Sequence, residues 1–275
     1  MSGVLVVIPS RFAAVRFPGK PLAKLAGKPM IQHVYERATQ AKTPEEVVVA
    51  TDDQRIIDAV QAFGGRAVMT SPSARSGTER VAEVARQHRA QVVINVQGDE
   101  PLIPPTAIDQ VAEFLVRHQA VPMASVMRPL TDAESYRSPN VVKVVTDRDG
   151  FALYFSRAPI PFVRQETGDK RQETKAGPTA TGSPVSGLMS PVWYKHLGLY
   201  GYQRHFLLQF PSFEPTPLEQ LEGLEQLRAL EHGYRIKLLE TAHDSIGVDT
   251  PEDAARVEKI LQASEARGQK SEVRK

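Results

Sequence analysis

Hydrophobic residues along this chain fall into short continuous runs and into longer stretches with helical spacing. Val4 to Ile8, Val47 to Ala50 and the Q-V-V-I-N-V run from Gln91 to Val96 are short, β-branched and almost free of alternation. Strands of that kind are buried on both faces, as in a parallel sheet. Arg66 to Thr70, Met123 to Val126 and Arg235 to Glu240 read as further strands. Between them, apolar residues share helix faces: Met30, Ile31, Val34 and Ala38; Val81, Val84 and Ala85; Ile108, Val111, Ala112 and Leu115. These spacings predict amphipathic helices. The expectation is an α/β fold, a mostly parallel central sheet with helices on both faces.

Later segments break this rhythm. Val141 to Thr146 and Phe151 to Arg157 flank Asp149-Gly150 and predict a hairpin. Pro217 to Glu231 reads as one amphipathic helix, with Leu218, Leu221, Leu224, Leu227 and Leu230 on one face. Glu219, Glu222 and Glu225 recur on it as a carboxylate row, which is either a solvated face or part of a site. Residues 164 to 192 are polar, rich in Gly, Pro and Thr, and lack a periodic apolar face, so they predict a mobile surface excursion. The tail over 263–275 is charged and is expected to fray. The domain expected is a single one over 1–262, with a hairpin-containing subdomain at about 130–215.

Composition narrows the class. A chain of 275 residues buries a sizeable core, and 41% hydrophobic with 24% charged residues is ordinary for a globular protein. A net charge of +2 offers no bulk electrostatic case for nucleic acid or membrane. The absence of cysteine excludes disulfides, thiolate zinc sites and cysteine nucleophiles. No apolar run approaches the roughly 18 residues of a membrane span, and no signal peptide is recognisable. The expectation is a cytoplasmic enzyme.

Candidate chemistry sits where the strands end. After Val4 to Ile8, Pro9 stops the strand and a loop brings Arg11, Arg16 and Lys20, with Gly19 before the lysine. Ligands of open α/β sheets bind beyond the carboxyl ends of the strands. Three cations there, beside a glycine that admits close backbone approach, suit a polyphosphate; an exposed basic loop is the alternative. The loop is neither a Walker A sequence nor a dinucleotide fingerprint. The Gln91–Val96 strand ends in Gln97-Gly98-Asp99-Glu100-Pro101. Asp99 there is either a turn residue or a carboxylate facing the crevice, where polyphosphate would bring Mg2+. Asp52 or Asp53 caps the next helix, as Ser76 or Thr78 caps the one after S-G-T-E-R. Asp249 is a helix cap or a site residue, and His196, Lys143 and Arg157 alone read as packed or solvated. No histidine and serine are spaced for a triad.

Taken together, I-P-S-R-F, R-F-P-G-K-P-L, S-G-T-E-R, N-V-Q-G-D-E-P, A-L-Y-F-S-R, H-L-G-L-Y-G-Y and D-T-P-E-D resemble, in order, the 3-deoxy-manno-octulosonate (Kdo) cytidylyltransferases. The resemblance covers about residues 4 to 255, apart from the excursion, which is longer than is usual there. It implies a Rossmann-like nucleotide-diphospho-sugar transferase fold and transfer of CMP from CTP to an acidic sugar, with release of pyrophosphate. It places Pro9, Ser10, Arg11, Lys20, Ser76, Gly77, Thr78 and Gln97 around the nucleotide. Arg80, Gln97, Arg157, His196, Tyr200, Glu219 and Glu225 face the sugar, and Asp99 and Asp249 hold Mg2+, as one ion or two. Arg11, Lys20, Asp99 and Asp249 carry catalysis by positioning and charge stabilisation. A homodimer and a role in lipopolysaccharide-type envelope synthesis are also implied. The rivals are a sister enzyme for sialic acid or an amino analogue of Kdo, and a non-catalytic nucleotide-binding module.

Overall fold

The computed structural model describes residues 3–13, 17–162 and 193–272. Arg16 and the predicted excursion over 164–192 lie outside the described residues. In chain order the elements begin with β1 (Val4–Pro9), β2 (Lys24–Leu25), β3 (Lys28–Pro29), α1 (Met30–Thr39), β4 (Glu46–Thr51), α2 (Gln54–Ala62), β5 (Ala67–Met69), α3 (Gly77–Arg86) and β6 (Val92–Val96). They continue with α4 (Pro105–Arg117), β7 (Met123–Leu130), α5 (Ala133–Arg137), β8 (Lys143–Thr146), β9 (Ala152–Ser156) and β10 (Trp193–Gln203). The last are α6 (Arg204–Gln209), α7 (Pro217–Glu222), α8 (Gln226–Glu231), β11 (Ile236–Glu240) and α9 (Pro251–Glu272).

Every predicted apolar run is a strand of one sheet, ordered β11-β7-β10-β6-β1-β4-β5. Parallel pairing links β6, β1, β4 and β5, and also β7 with β11. Strand β10 lies antiparallel between β6 and β7. The predicted hairpin is β8–β9, turned at Gly150 with φ 74° and joined to the sheet where Tyr194 of β10 faces Val144.

Burial on both faces explains the missing alternation. Val4, Val6 and Ile8 pack into one core with Ile31, Ile56 and Ile108 of α1, α2 and α4. Leu5 and Val7 point the other way, into a core with Val81 of α3, Phe206 of α6 and Leu227 of α8. Leu25 and Met30 meet Val248, Val257 and Leu261 in a third cluster, which docks α9 beside the β2–β3 ribbon. Among the described residues no helix is long and apolar enough to cross a membrane.

The stretch predicted as one helix over 217–231 is two. Gly223 adopts φ 61° and ends α7, a left-handed stop that glycine permits cheaply. The leucine face breaks with it: Leu224 and Leu227 are buried, while Leu221 is 82% exposed. At the other end of the chain, α9 continues to Glu272, past the boundary expected at 262.

Candidate active site

Beyond the carboxyl ends of β1 and β6 lies a cleft of about 470 Å3. Pro9, Ser10, Arg11 and Ala13 enter it from the end of β1, and Lys20 and Pro21 from the turn that follows. Gly77 and Arg80 come from α3, Gln97, Gly98 and Asp99 from the end of β6, and Asp249 from the residue pair before α9. Arg11, Lys20, Asp99 and Asp249, far apart in sequence, therefore face one space.

Local chemistry explains each placement. The cationic loop is closed by Gly19 N–H donating to Phe12 O at 3.1 Å, with Gly19 at φ 72°. The Arg55 guanidinium lies 3.4 Å above the Phe12 ring and holds the loop against α2. Ser76 caps α3, accepting from Glu79 N–H at 3.2 Å, so the first turn of the helix opens toward the cleft. A side chain on Gly98 would bring a Cβ within 2.8 Å of Pro9 O, so only glycine lets the ends of β1 and β6 approach this closely.

The cap of α9 is made by the residue after Asp249. Thr250 Oγ1 accepts from Asp253 N–H at 3.2 Å, and Asp253 Oδ2 accepts from Thr250 N–H at 3.0 Å. That reciprocal pair caps α9. The Asp249 N–H also donates to Asp253 Oδ2, at 3.1 Å, while its own carboxylate faces the cleft. Val248 N–H donates to Asp99 O at 2.9 Å, which brings the two aspartates side by side. Lys20 Nζ sits between them, 2.8 Å from Asp99 Oδ2, 3.3 Å from Asp249 Oδ1 and 2.7 Å from Val248 O.

Among the described residues there is no group of three or more His, Cys, Asp or Glu side chains that could hold a metal by themselves. Two carboxylates and a carbonyl already gathered around one cation nevertheless form the hard-oxygen half-shell that Mg2+ takes, with waters and phosphate oxygens completing it. The donor set fits the ion.

The residues expected at the sugar divide differently. Arg80 lines the cleft, yet it is almost fully buried and donates to Asp52 Oδ2 at 2.8 Å and to Thr70. His196, buried in β10 and absent from the cleft lining, shares a 2.8 Å hydrogen bond between Nε2 and Ser125 Oγ. Ser125 gives its only proton to Leu199 O at 2.6 Å, so His196 Nε2 is the donor. Burial lowers the His196 pKa to about 3, which leaves it neutral. Tyr200 packs 5.3 Å from that ring, and burial first, then the Glu225 and Glu100 charges, raise its phenol far above its usual range. Thr78 is buried and donates to Glu225, tying α3 to the start of α8.

Arg157 and the rest of the carboxylate row do not line the cleft. Arg157 donates through Nε to Glu222 O at 2.8 Å and through Nη1 to Pro139 O at 3.2 Å. Glu219 accepts from Arg228 Nε at 2.7 Å and from Thr216 N–H at 3.3 Å, so in this structure it serves the start of α7. Lys143, which alone reads as solvated, is fully buried and donates to Ser138 O at 2.8 Å and Val141 O at 2.7 Å. Desolvation lowers its pKa.

Three residues were given no individual role by the sequence reading. Glu222 accepts from Ser156 Oγ at 2.6 Å and Arg157 N–H at 2.9 Å and anchors the hairpin to α7. Glu100, next to Asp99, accepts from the Ser245 hydroxyl, and burial pushes its carboxyl up to about 7. Asn95 is buried in β6 and accepts from Gln97 Nε2 at 3.0 Å. The only available signal was a polar residue inside an apolar run.

A cationic loop and two carboxylates over the strand ends of such a sheet make the layout of a nucleotidyltransferase. The chain belongs to the cytidylyltransferase family, whose model matches residues 5–237. A 3-deoxy-manno-octulosonate cytidylyltransferase of Geobacter sulfurreducens is 52% identical over 94% of this chain and 98% of that protein. One from Geobacter metallireducens is 50% identical over 92% of this chain and 96% of that protein. The solved structure of a CMP:2-keto-3-deoxy-manno-octonic acid synthetase complexed with CTP superposes with a TM-score of 0.82 at 40% identity, covering 96% of this chain and all of that one.

Proposed function

We propose that this chain transfers CMP from CTP to the anomeric hydroxyl of Kdo, giving CMP-Kdo and pyrophosphate. The observation that carries the reading is the convergence of Arg11, Lys20, Asp99 and Asp249 on one cleft, in a chain about half identical to enzymes named for that reaction. The hydroxyl attacks the α-phosphorus in line, the new C–O–P linkage forms, and the bond to the β-phosphate oxygen breaks as pyrophosphate departs. Little covalent chemistry is asked of the protein, so rate comes from alignment and charge stabilisation. Arg11 supplies positive charge to the phosphates. The first turn of α3 at Gly77 offers backbone N–H groups for a phosphate or the base. Ser10 Oγ, buried in the cleft wall with no partner among the described residues, is a hydroxyl waiting for a polar ligand.

Asp99 and Asp249 would hold Mg2+. When bound, the ion withdraws charge from the phosphates and lowers the pKa of the attacking hydroxyl. We read the protein as a cytoplasmic homodimer that serves lipopolysaccharide-type envelope synthesis. The reading of a dimer is supported by Leu153 and Leu221, exposed on the neighbouring β9 and α7.

The test is pyrophosphate release from CTP and Mg2+ with Kdo, with sialic acid and with no sugar, for the wild type and Asp99→Ala. Release with Kdo alone, lost in the variant, is the expected result. Release with sialic acid instead would keep the chemistry and change the substrate. No release with either sugar would overturn the reading.

A further inference from the structure

We infer that Lys20 is a resident stand-in for the metal, so the free enzyme keeps its cation site filled by its own ammonium and takes up a divalent ion only when nucleotide draws Lys20 away. The inference rests on the assignment of Asp99 and Asp249 as metal ligands. Lys20 Nζ lies 2.8 Å from Asp99 Oδ2, 3.3 Å from Asp249 Oδ1 and 2.7 Å from Val248 O. Its side chain is only 14% exposed, whereas Asp99 and Asp249 are 34% and 51% exposed. The two carboxylates are brought together by backbone, through the Val248–Asp99 hydrogen bond, and not by attraction for each other. Two like charges held side by side need a cation between them. Lys20 meets that need from a fixed base, because Gly19 closes the loop and the lysine opens a short turn over Lys20–Leu22.

An ammonium and a divalent ion cannot share one set of oxygens. A metal entering the free enzyme must therefore displace Lys20, and among the described residues the cleft lining offers no third carboxylate to receive that ammonium. Triphosphate removes this penalty. Phosphate oxygens accept the displaced ammonium, and they also complete the ion's shell. The same lysine thus serves the carboxylates before binding and the phosphates after it, and metal affinity becomes coupled to nucleotide by linkage. The coupling is reciprocal, so the metal strengthens CTP binding by the same factor that CTP strengthens metal binding.

Mn2+ is the probe, and free ion is counted by electron paramagnetic resonance without turnover. The expected result is weak Mn2+ binding to the wild type alone, at least tenfold tighter binding to Lys20→Met and Lys20→Gln alone, and a large gain on adding CTP in the wild type that shrinks in both variants. Two neutral variants are used so that a repacked turn in one does not decide the result, and thermal unfolding confirms that each is folded. Equal Mn2+ affinity in wild type and both folded variants without CTP would overturn the inference. Asp99→Asn separates this from the underlying reading. If that variant still takes up Mn2+ with CTP as the wild type does, the metal-site assignment itself fails.

Discussion

Arg80 of α3 donates to Asp52 Oδ2 at 2.8 Å and so ties the helix that opens on the cleft to the end of β4. The two acidic residues at that strand end have separate tasks. Asp53 caps α2, accepting from Arg55 N–H at 3.0 Å, and Asp52 holds the arginine. The Arg80 side chain is 2% exposed, so removing its partner leaves a buried charge with Thr70 as its remaining side-chain hydrogen-bond partner among the described residues. Asp52→Ala is expected to cost about 3–5 kcal/mol, the usual cost of breaking one side of a buried pair. Urea unfolding measures this. A loss under about 1 kcal/mol would mean that water reaches Arg80 and that the pair is not a strut.

Gly98 and Gly198 offer a matched comparison. A Cβ at Gly98 would lie 2.8 Å from the Pro9 carbonyl oxygen, a backbone atom that cannot turn aside. At Gly198 the nearest atoms would be side-chain atoms of Gln97 and Glu100 at 3.6 Å, which is ordinary contact. Gly98→Ala is expected to destabilise by about 1–3 kcal/mol through overpacking. It also pushes Ser10 and Arg11 outward, so CTP affinity falls. Gly198→Ala is expected to leave stability within about 0.5 kcal/mol. Differential scanning calorimetry and CTP titration on both variants check the pair, and equal effects would remove the special role of the β1–β6 approach.

What was legible in the sequence depended on the range of the interaction. Val4 to Pro9 and Val92 to Val96 announce buried strands because both faces are covered, which local composition reports directly. Arg11, Lys20 and Asp99 follow strands, whose ends point into the cleft, but it was the family resemblance that singled out these three together with Asp249. The carboxylate row was only half legible. Spacing placed Glu219, Glu222 and Glu225 on one face, but Gly223 broke the helix and sent them to Arg228, to Ser156 with Arg157, and to Thr78. Those partners lie on other elements, and nothing local specifies them. Lys143 misled differently: the carbonyls of Ser138 and Val141, just before β8, and of Arg157, just after β9, solvate its ammonium inside the fold.

Leu153 is 62% exposed on β9 and Leu221 is 82% exposed on α7, and Glu222 of α7 accepts from Ser156 of β9 at 2.6 Å, so the two elements that carry these leucines touch. Among the described residues strand β9 pairs only with β8 and leaves one edge open. An open edge beside large apolar side chains favours a second copy of the chain. Sedimentation equilibrium is expected to give a dimer for the wild type and a monomer for Leu153→Asp with Leu221→Asp. A dimer that survives both aspartates would move the seam elsewhere, and a monomeric wild type would end the dimer reading.

Buried His196 makes the fold sensitive to acid. Its pKa is about 3 in the folded chain, because burial disfavours the imidazolium, against about 6.5 when unfolded. The folded-state value is the lower one, so below pH 6.5 the unfolded chain binds the proton that the folded chain refuses. The contribution is complete above about pH 6.5 and is lost progressively as pH falls toward 3. At pH 5 the loss from this residue alone is about 2 kcal/mol, from 1.36 kcal/mol for each pH unit below 6.5. Unfolding free energies of wild type and His196→Gln at pH 7.5 and pH 5 isolate it. The variant gives up the packing of the ring against Phe155, at 4.9 Å, and is less stable at both values. Its drop between them is expected to be smaller than the wild-type drop by about 2 kcal/mol. Identical drops would show that His196 protonates without unfolding the strand around it, and that Ser125 and Leu199 release it to water at little cost.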